Sequence, residues 1–169
     1  MSGPAVPRIV TLVIVLLAAA RVATVWPNLP LEVASHFGAG GEPNGWMSRE
    51  QFFGTMAAIG GGVSALLLLL PLVLAVIPTK FINLPNREYF LADDRRDATI
   101  ARLGSLMAWL GVSTTALIAL VLELSIQANL KPGPLDNGIF LLGMGVYLLS
   151  IVVTLVATYR AFRLPRSAG

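Results

Sequence analysis

The chain has 169 residues, 56% of them hydrophobic and only 12% charged, with a formal net charge of +3. Soluble domains carry roughly a quarter charged residues, so this composition excludes an ordinary soluble fold and points to a bilayer. The basic excess then marks membrane-flanking ends, and no nucleic-acid partner is expected. There is no cysteine, which excludes disulfides and thiolate metal sites.

Four apolar runs stand out, near residues 9–26, 54–77, 100–127 and 138–159. Each is long enough to cross a hydrocarbon core of about 30 Å at about 1.5 Å per helical residue. The first run has a second reading as a secretory signal, because Arg8 precedes an apolar stretch ending in the small residues Ala18, Ala19 and Ala20. Its continuation past Arg21 to Trp26 and Pro27 favours a span ending at an interface. Lys and Arg in short loops set orientation. Arg8, Lys80, Arg87, Arg95, Arg96, Arg102, Arg160, Arg163 and Arg166 fall on one side, and only Arg49 and Lys131 on the other. The expected arrangement is an all-α membrane protein of the inner (cytoplasmic) membrane, a single domain over 1–169 with both termini cytoplasmic. Its four helices form an antiparallel bundle, with a structured outer loop at 27–53 and an inner loop at 78–97. Small residues four apart, such as Ala57 and Gly61, Gly104 and Ala108, or Gly111 and Thr115, predict close helix packing, and Pro71 predicts a kink in the second span.

The outer loop contains "ASHFGAGGEPNGWMSRE", Ala34 to Glu50, with the only histidine in the chain. Pro43, Asn44 and Gly45 predict a tight turn there, and Trp26 and Trp46 suit the headgroup level. As a shaped surface, the loop makes His36, Phe37, Glu42, Asn44, Trp46 and Arg49 candidates for partner binding. Histidine also titrates near neutrality and ligates metals. A helical stretch would bring Glu32 onto the face of His36, with Glu42 as a further oxygen; a complete metal set of three or four ligands is not evident, and neither metal nor cofactor is expected.

Two charges fall inside the spans, Arg21 and Glu123, at matching depths of roughly 6 to 8 Å below the outer surface. Charges in hydrocarbon pair or line a polar cavity, so an intramembrane Arg21–Glu123 ion pair is expected. On the inner side, Asp93 or Asp94 is expected to cap the third span. Asn83, Asn86, Arg87, Tyr89, Arg95 and Arg96 form a candidate cytoplasmic surface for lipid headgroups or a protein.

The stretch "NLPLEVASHFGAGGEPNGWMSREQF" resembles the membrane domain family of unknown function number 1648. Leu29, Pro30, His36, Phe37, Gly41, Pro43, Gly45, Trp46 and Ser48 match the family pattern. Ala34, Asn44 and Arg49 stand where the family has proline, aspartate and lysine. A second stretch, "INLPNREYFLADDRR", is similar to a segment that follows in such proteins. The family is similar to the amino-terminal domain of the SdpI immunity protein, a bacterial membrane protein that protects against a secreted peptide. The resemblance therefore implies an outer surface that senses and an inner surface that signals. Together these features lead us to expect a noncatalytic membrane protein whose outer loop recognises a peptide, lipid or protein partner, as a sensor or immunity component or an accessory subunit. The alternative is a small transporter or membrane enzyme using His36 with Glu32, Glu42 or Glu123 as a proton or metal site. No nucleotide loop, catalytic triad or His-Glu-x-x-His motif supports an enzyme.

Overall fold

The computed structural model describes residues 5–164; Arg166, among the basic residues counted above, lies outside them. Helix α1 spans Ala5–Val25 and accommodates Pro7 in its first turn, where a missing N–H costs nothing. A 3-10 turn at Trp26–Asn28 leads into strands β1 (Glu32–Phe37) and β2 (Pro43–Ser48), which pair antiparallel. Helix α2 runs Arg49–Val76, the short α3 Arg87–Phe90, α4 Arg96–Leu130 and α5 Asn137–Ala161. Four of these helices, α1, α2, α4 and α5, are long and apolar enough to cross a membrane. The all-α expectation is corrected at the first connection, where the chain forms a β-hairpin. Glycines supply its turn, and Val33, Phe37 and Trp46 favour extended backbone.

The long helices do not close around a shared interior. Each of α1, α2 and α5 packs chiefly on α4. The small residues on the α2 and α4 seam explain this preference, because apolar side chains gain nothing by leaving lipid for one another and close backbone approach supplies the attraction instead. Gly60 faces Ile118, Gly111 faces Leu67, and Gly104 faces Pro71, so α2 and α4 run in opposite directions. Midway along this seam, the buried hydroxyls of Ser64 and Thr115 lie 3.0 Å apart in a hydrogen bond. On the far side of α4, Ser150 Oγ donates to Ser113 Oγ at 2.9 Å, and Gly143 leaves room for Leu120. The outer face of α5 is a run of exposed apolar side chains, including Leu141, Leu142, Leu148 and Leu149.

At the end of the molecule remote from the hairpin, Ile82, Leu84, Leu91, Ile100, Leu103 and Phe162 form a small core under the tips of α2, α4 and α5. Asn86 adopts a left-handed conformation (φ 53°), and its Nδ2 donates to the terminal carbonyl of Phe162 at 2.8 Å. The expected acidic cap on α4 is not formed. Its N-cap is Arg95, without a side-chain cap bond. Asp94 instead accepts from Arg95 Nε at 3.0 Å, and Thr99 Oγ1 ties the first turn to Phe90 O at 2.7 Å.

A methyl group at Gly104 would stand 3.1 Å from Pro71 Cβ, whereas one at Gly61 meets nothing within 4 Å. Gly104→Leu should therefore force α2 from α4 and lower stability by about 1–3 kcal/mol, while Gly61→Ala should be neutral. Thermal melts in detergent compare the two.

Candidate functional site

The hairpin is built on glycines. Gly38 N–H donates to Glu42 O at 2.8 Å, and Gly41 N–H to Gly38 O at 2.9 Å. Gly41 sits at φ +84°. This is a short glycine-closed loop of the kind in which a positive φ ends the turn. The turn thus lies at Gly38–Gly41, correcting the expectation that Asn44-Gly45 would form it. Asn44 and Gly45 belong to β2, with Gly45 opposite His36. The glycine is needed there for a different reason, since a Cβ would come within 3.1 Å of His36 Cβ. The register is irregular between Ala34 and Phe37, which re-aims the tip as bulges do.

Three attachments hold this hairpin against the helices. At its base, Ser48 Oγ accepts from Gln51 N–H at 3.2 Å and caps α2. There too Arg49 N–H donates to Leu31 O at 2.9 Å. The Arg49 guanidinium donates to Trp26 O at 3.2 Å and Leu29 O at 3.1 Å, and lies 4.7 Å from the Trp26 ring centroid. At its middle, the side-chain amide of Asn129 on α4 grips β1: Ala34 N–H donates to Oδ1 at 2.7 Å, and Nδ2 donates to Ala34 O at 3.0 Å. At its tip, Leu135 N–H donates to Gly41 O and Asn137 Nδ2 to Ala39 O, both at 2.8 Å. A side chain at Gly41 would collide with Leu135 O. Beneath the hairpin, the fully buried Val33 packs with Val25, Leu29, Phe52, Phe53 and Ile126.

The two faces of the hairpin differ sharply. Val33 and Met47 face the helices, and alternation turns Glu32 and Trp46 the other way. Glu32, His36, Asn44 and Trp46 are exposed, Trp46 by 56%, with Leu31 beside them at 73%. Ser35 Oγ lies 3.0 Å from His36 Nδ1 and donates to Gly45 O at 3.3 Å. Of the six loop residues singled out from the sequence, His36, Asn44 and Trp46 are displayed together. Glu42 is exposed beside the turn and Phe37 is half-buried. Arg49 is a brace of the hairpin base. Residues Glu32 and His36 lie on a strand rather than a helix, which separates them by roughly 13 Å of chain. Among the described residues no group of three His, Cys, Asp or Glu could hold a metal.

Arg21 and Glu123 meet in a two-point contact, Nε to Oε2 at 2.9 Å and Nη2 to Oε1 at 3.0 Å. Gln127 Nε2 donates to the same carboxylate at 3.0 Å. The pair sits about 9 Å along α4 from Asn129. At the other end of the molecule, the six residues proposed as one surface are mostly engaged locally. Arg95 stacks 4.1 Å from the Tyr89 ring centroid, and the Asp94 hydrogen bond holds its guanidinium further into the charged range. Arg87 donates to Lys80 O at 3.4 Å, Arg96 to Ala75 O and Ile77 O, and Asn83 is exposed.

Sequence reasoning missed Asn129, Leu135 and Asn137. Asn129 carried a signal, since it is a poor helix former placed near the end of an apolar helix; Leu135 contributes only backbone and carried none.

Residues 13–60 match the family described as a domain of unknown function, DUF1648, which bears out the resemblance over most of α1, the hairpin and the start of α2. No curated protein and no solved structure matches the chain.

Replacing Asn129 by Leu strands two buried backbone groups of Ala34, at about 1–3 kcal/mol each. Hydrogen exchange of the Ala34 amide should accelerate strongly, and Asn129→Asp, which keeps the acceptor, should fall between. For the ion pair, Arg21→Glu and Glu123→Arg should each lower the melting temperature, and the combined swap should recover part of the loss.

Proposed function

We propose that this is a noncatalytic integral membrane protein of the inner membrane, an antiparallel helical array with both termini cytoplasmic. In this reading the hairpin is an outward-facing recognition surface for a protein or peptide. The distribution of basic residues supports the orientation. Arg8, Lys80, Arg87, Arg95, Arg96, Arg102, Arg160 and Arg163 collect toward the α3 end, against Arg49 and Lys131 near the hairpin. A sensor or immunity component, or an accessory subunit, fits this design, since each needs a shaped outer surface and no reaction centre.

One observation carries the recognition reading: a hairpin fastened at base, middle and tip still displays Leu31, Glu32, His36, Asn44 and Trp46. Two isolated strands are marginal in water. Fastening them fixes the surface before a partner arrives and lowers the ordering cost of binding. An exposed tryptophan ringed by polar groups has the composition of a binding hot spot. The edge of β2 adds to this. Because Ala34 gives its N–H and C=O to Asn129, it does not bond Trp46 across the pair, and Trp46 turns its own backbone groups outward. An extended segment of a partner finds hydrogen-bonding positions there.

A photocrosslinking residue at position 44 tests this in native membranes. The expected result is a discrete protein adduct that disappears in Trp46→Ala, while exchange at the Ala34 amide stays slow. Adducts to lipid alone, or a protein adduct indifferent to Trp46→Ala, would refute it.

A further inference from the structure

At the end away from the hairpin, a cleft of about 300 Å³ opens between α1, α2 and α4. Its walls include the apolar Pro71, Ala75 and Ile100, and its charged residues are Arg8, Arg96 and Asp97. The cleft exists because Gly104 lets Pro71 lie against α4, while Arg8 on α1 leans over the same seam. Arg96 is fixed in the wall by Nη2, which donates to Ala75 O at 3.1 Å and Ile77 O at 3.2 Å, the free carbonyls at the end of α2. Asp97 is fully exposed, and its Oδ1 approaches Arg96 Nη1 only to 3.8 Å. The Nε of Arg8 is buried and has no hydrogen-bond acceptor among the described residues.

We infer that this cleft binds the phosphodiester headgroup of an anionic glycerophospholipid, with Arg8 and Arg96 as its cationic partners. Three observations converge on that chemistry. Two guanidinium groups against one solvent-facing carboxylate leave the site net positive, and α4 begins at Arg96, adding the positive end of its dipole. An unmet buried guanidinium donor is strongly costly, and a charged oxygen is its best acceptor. The remaining walls are apolar and belong to three helices able to span a membrane, so a headgroup bound here continues naturally into an acyl chain along Pro71, Ala75 and Ile100. Basic pockets between helices at a membrane boundary recognise anionic lipids in this way. The inference rests on the membrane reading above and is independent of what the hairpin binds.

The test uses the full chain in mild detergent, melted with phosphatidylglycerol, phosphatidylcholine or inorganic phosphate, alongside native mass spectrometry. Phosphatidylglycerol should raise the melting temperature by several degrees more than phosphatidylcholine and remain bound as a single lipid. Both effects should disappear in Arg8→Gln and Arg96→Gln and persist in Arg102→Gln, an exposed residue on the same helix. Arg96 also braces α2, so if that variant fails to fold, Arg8→Gln decides. Equal shifts from the two lipids, or an unchanged response in Arg8→Gln, would overturn the inference while leaving the membrane reading intact. A full shift from inorganic phosphate alone would make this a free-phosphate site and overturn the lipid assignment.

Discussion

The organisation of the hairpin end depends on one side chain standing in for a strand. Asn129 has the same donor and acceptor pair as a peptide group, and it presents both to Ala34 while its Nδ2 also bonds Ser125 O at 2.8 Å. An edge strand buried against apolar helices would otherwise leave two backbone groups unpaired at a cost of a few kcal/mol. By satisfying them from α4, the chain can bury Val33 completely without adding a third strand. Among the described residues the opposite edge, on β2, has no such partner. The asymmetry between a closed edge and an open one is what turns a connection into a surface.

The clamp works because α4 is rigid and central. Its 35 residues make it about 52 Å long, well beyond the roughly 30 Å of a hydrocarbon core. It is the longest of the four long helices, and each of its ends meets a further part of the chain. One end carries Glu123, Gln127 and Asn129 up to the hairpin; the other carries Arg96, Thr99 and Ile100 into the α3 core. Because α1, α2 and α5 pack on this helix far more than on one another, the Arg21–Glu123 contact is a principal polar tie between α1 and the rest. Its loss would loosen α1 and, through Trp26 and Leu29, the hairpin base that Arg49 braces.

Much of this was legible in the sequence, and the parts that were not share a physical cause. The four long helices follow from apolar runs of transmembrane length, and the meeting of Arg21 with Glu123 follows from two isolated charges at one depth. In the sequence the hairpin shows only as a shaped loop. Its strands are short, interrupted by irregular register and buried on one side only in part, so no clean alternation marks them. The expected turn falls at Asn44-Gly45 because Asn-Gly is a strong local turn signal. Here the stretch Gly38 to Gly41 offered a competing glycine set, and His36 needed the open space at Gly45. Asn129 lies some 95 residues from its partner, a separation at which local pattern has nothing to say. Helix α4 begins at Arg96, which puts its N-cap position on Arg95, beyond Asp93 and Asp94.

The match to DUF1648 covers residues 13–60, which hold the hairpin and its base attachment but not the attachments at its middle and tip. Within it lie Arg49, Ser48 and the glycine turn, enough to define where the hairpin starts, bends and ends. Outside it lie Asn129, Leu135 and Asn137, which hold β1 and the tip in place. The matched segment taken alone therefore specifies a hairpin with two unpaired groups at Ala34 and an unanchored turn, close to the marginal stability of any two-stranded ribbon. Ala34, unlike a proline, carries an N–H, so a chain that uses this segment as a firm surface with alanine at this position has both a donor and an acceptor to satisfy. In this chain α4 does so, which ties the conformation of the displayed face to the packing of the helices beneath it.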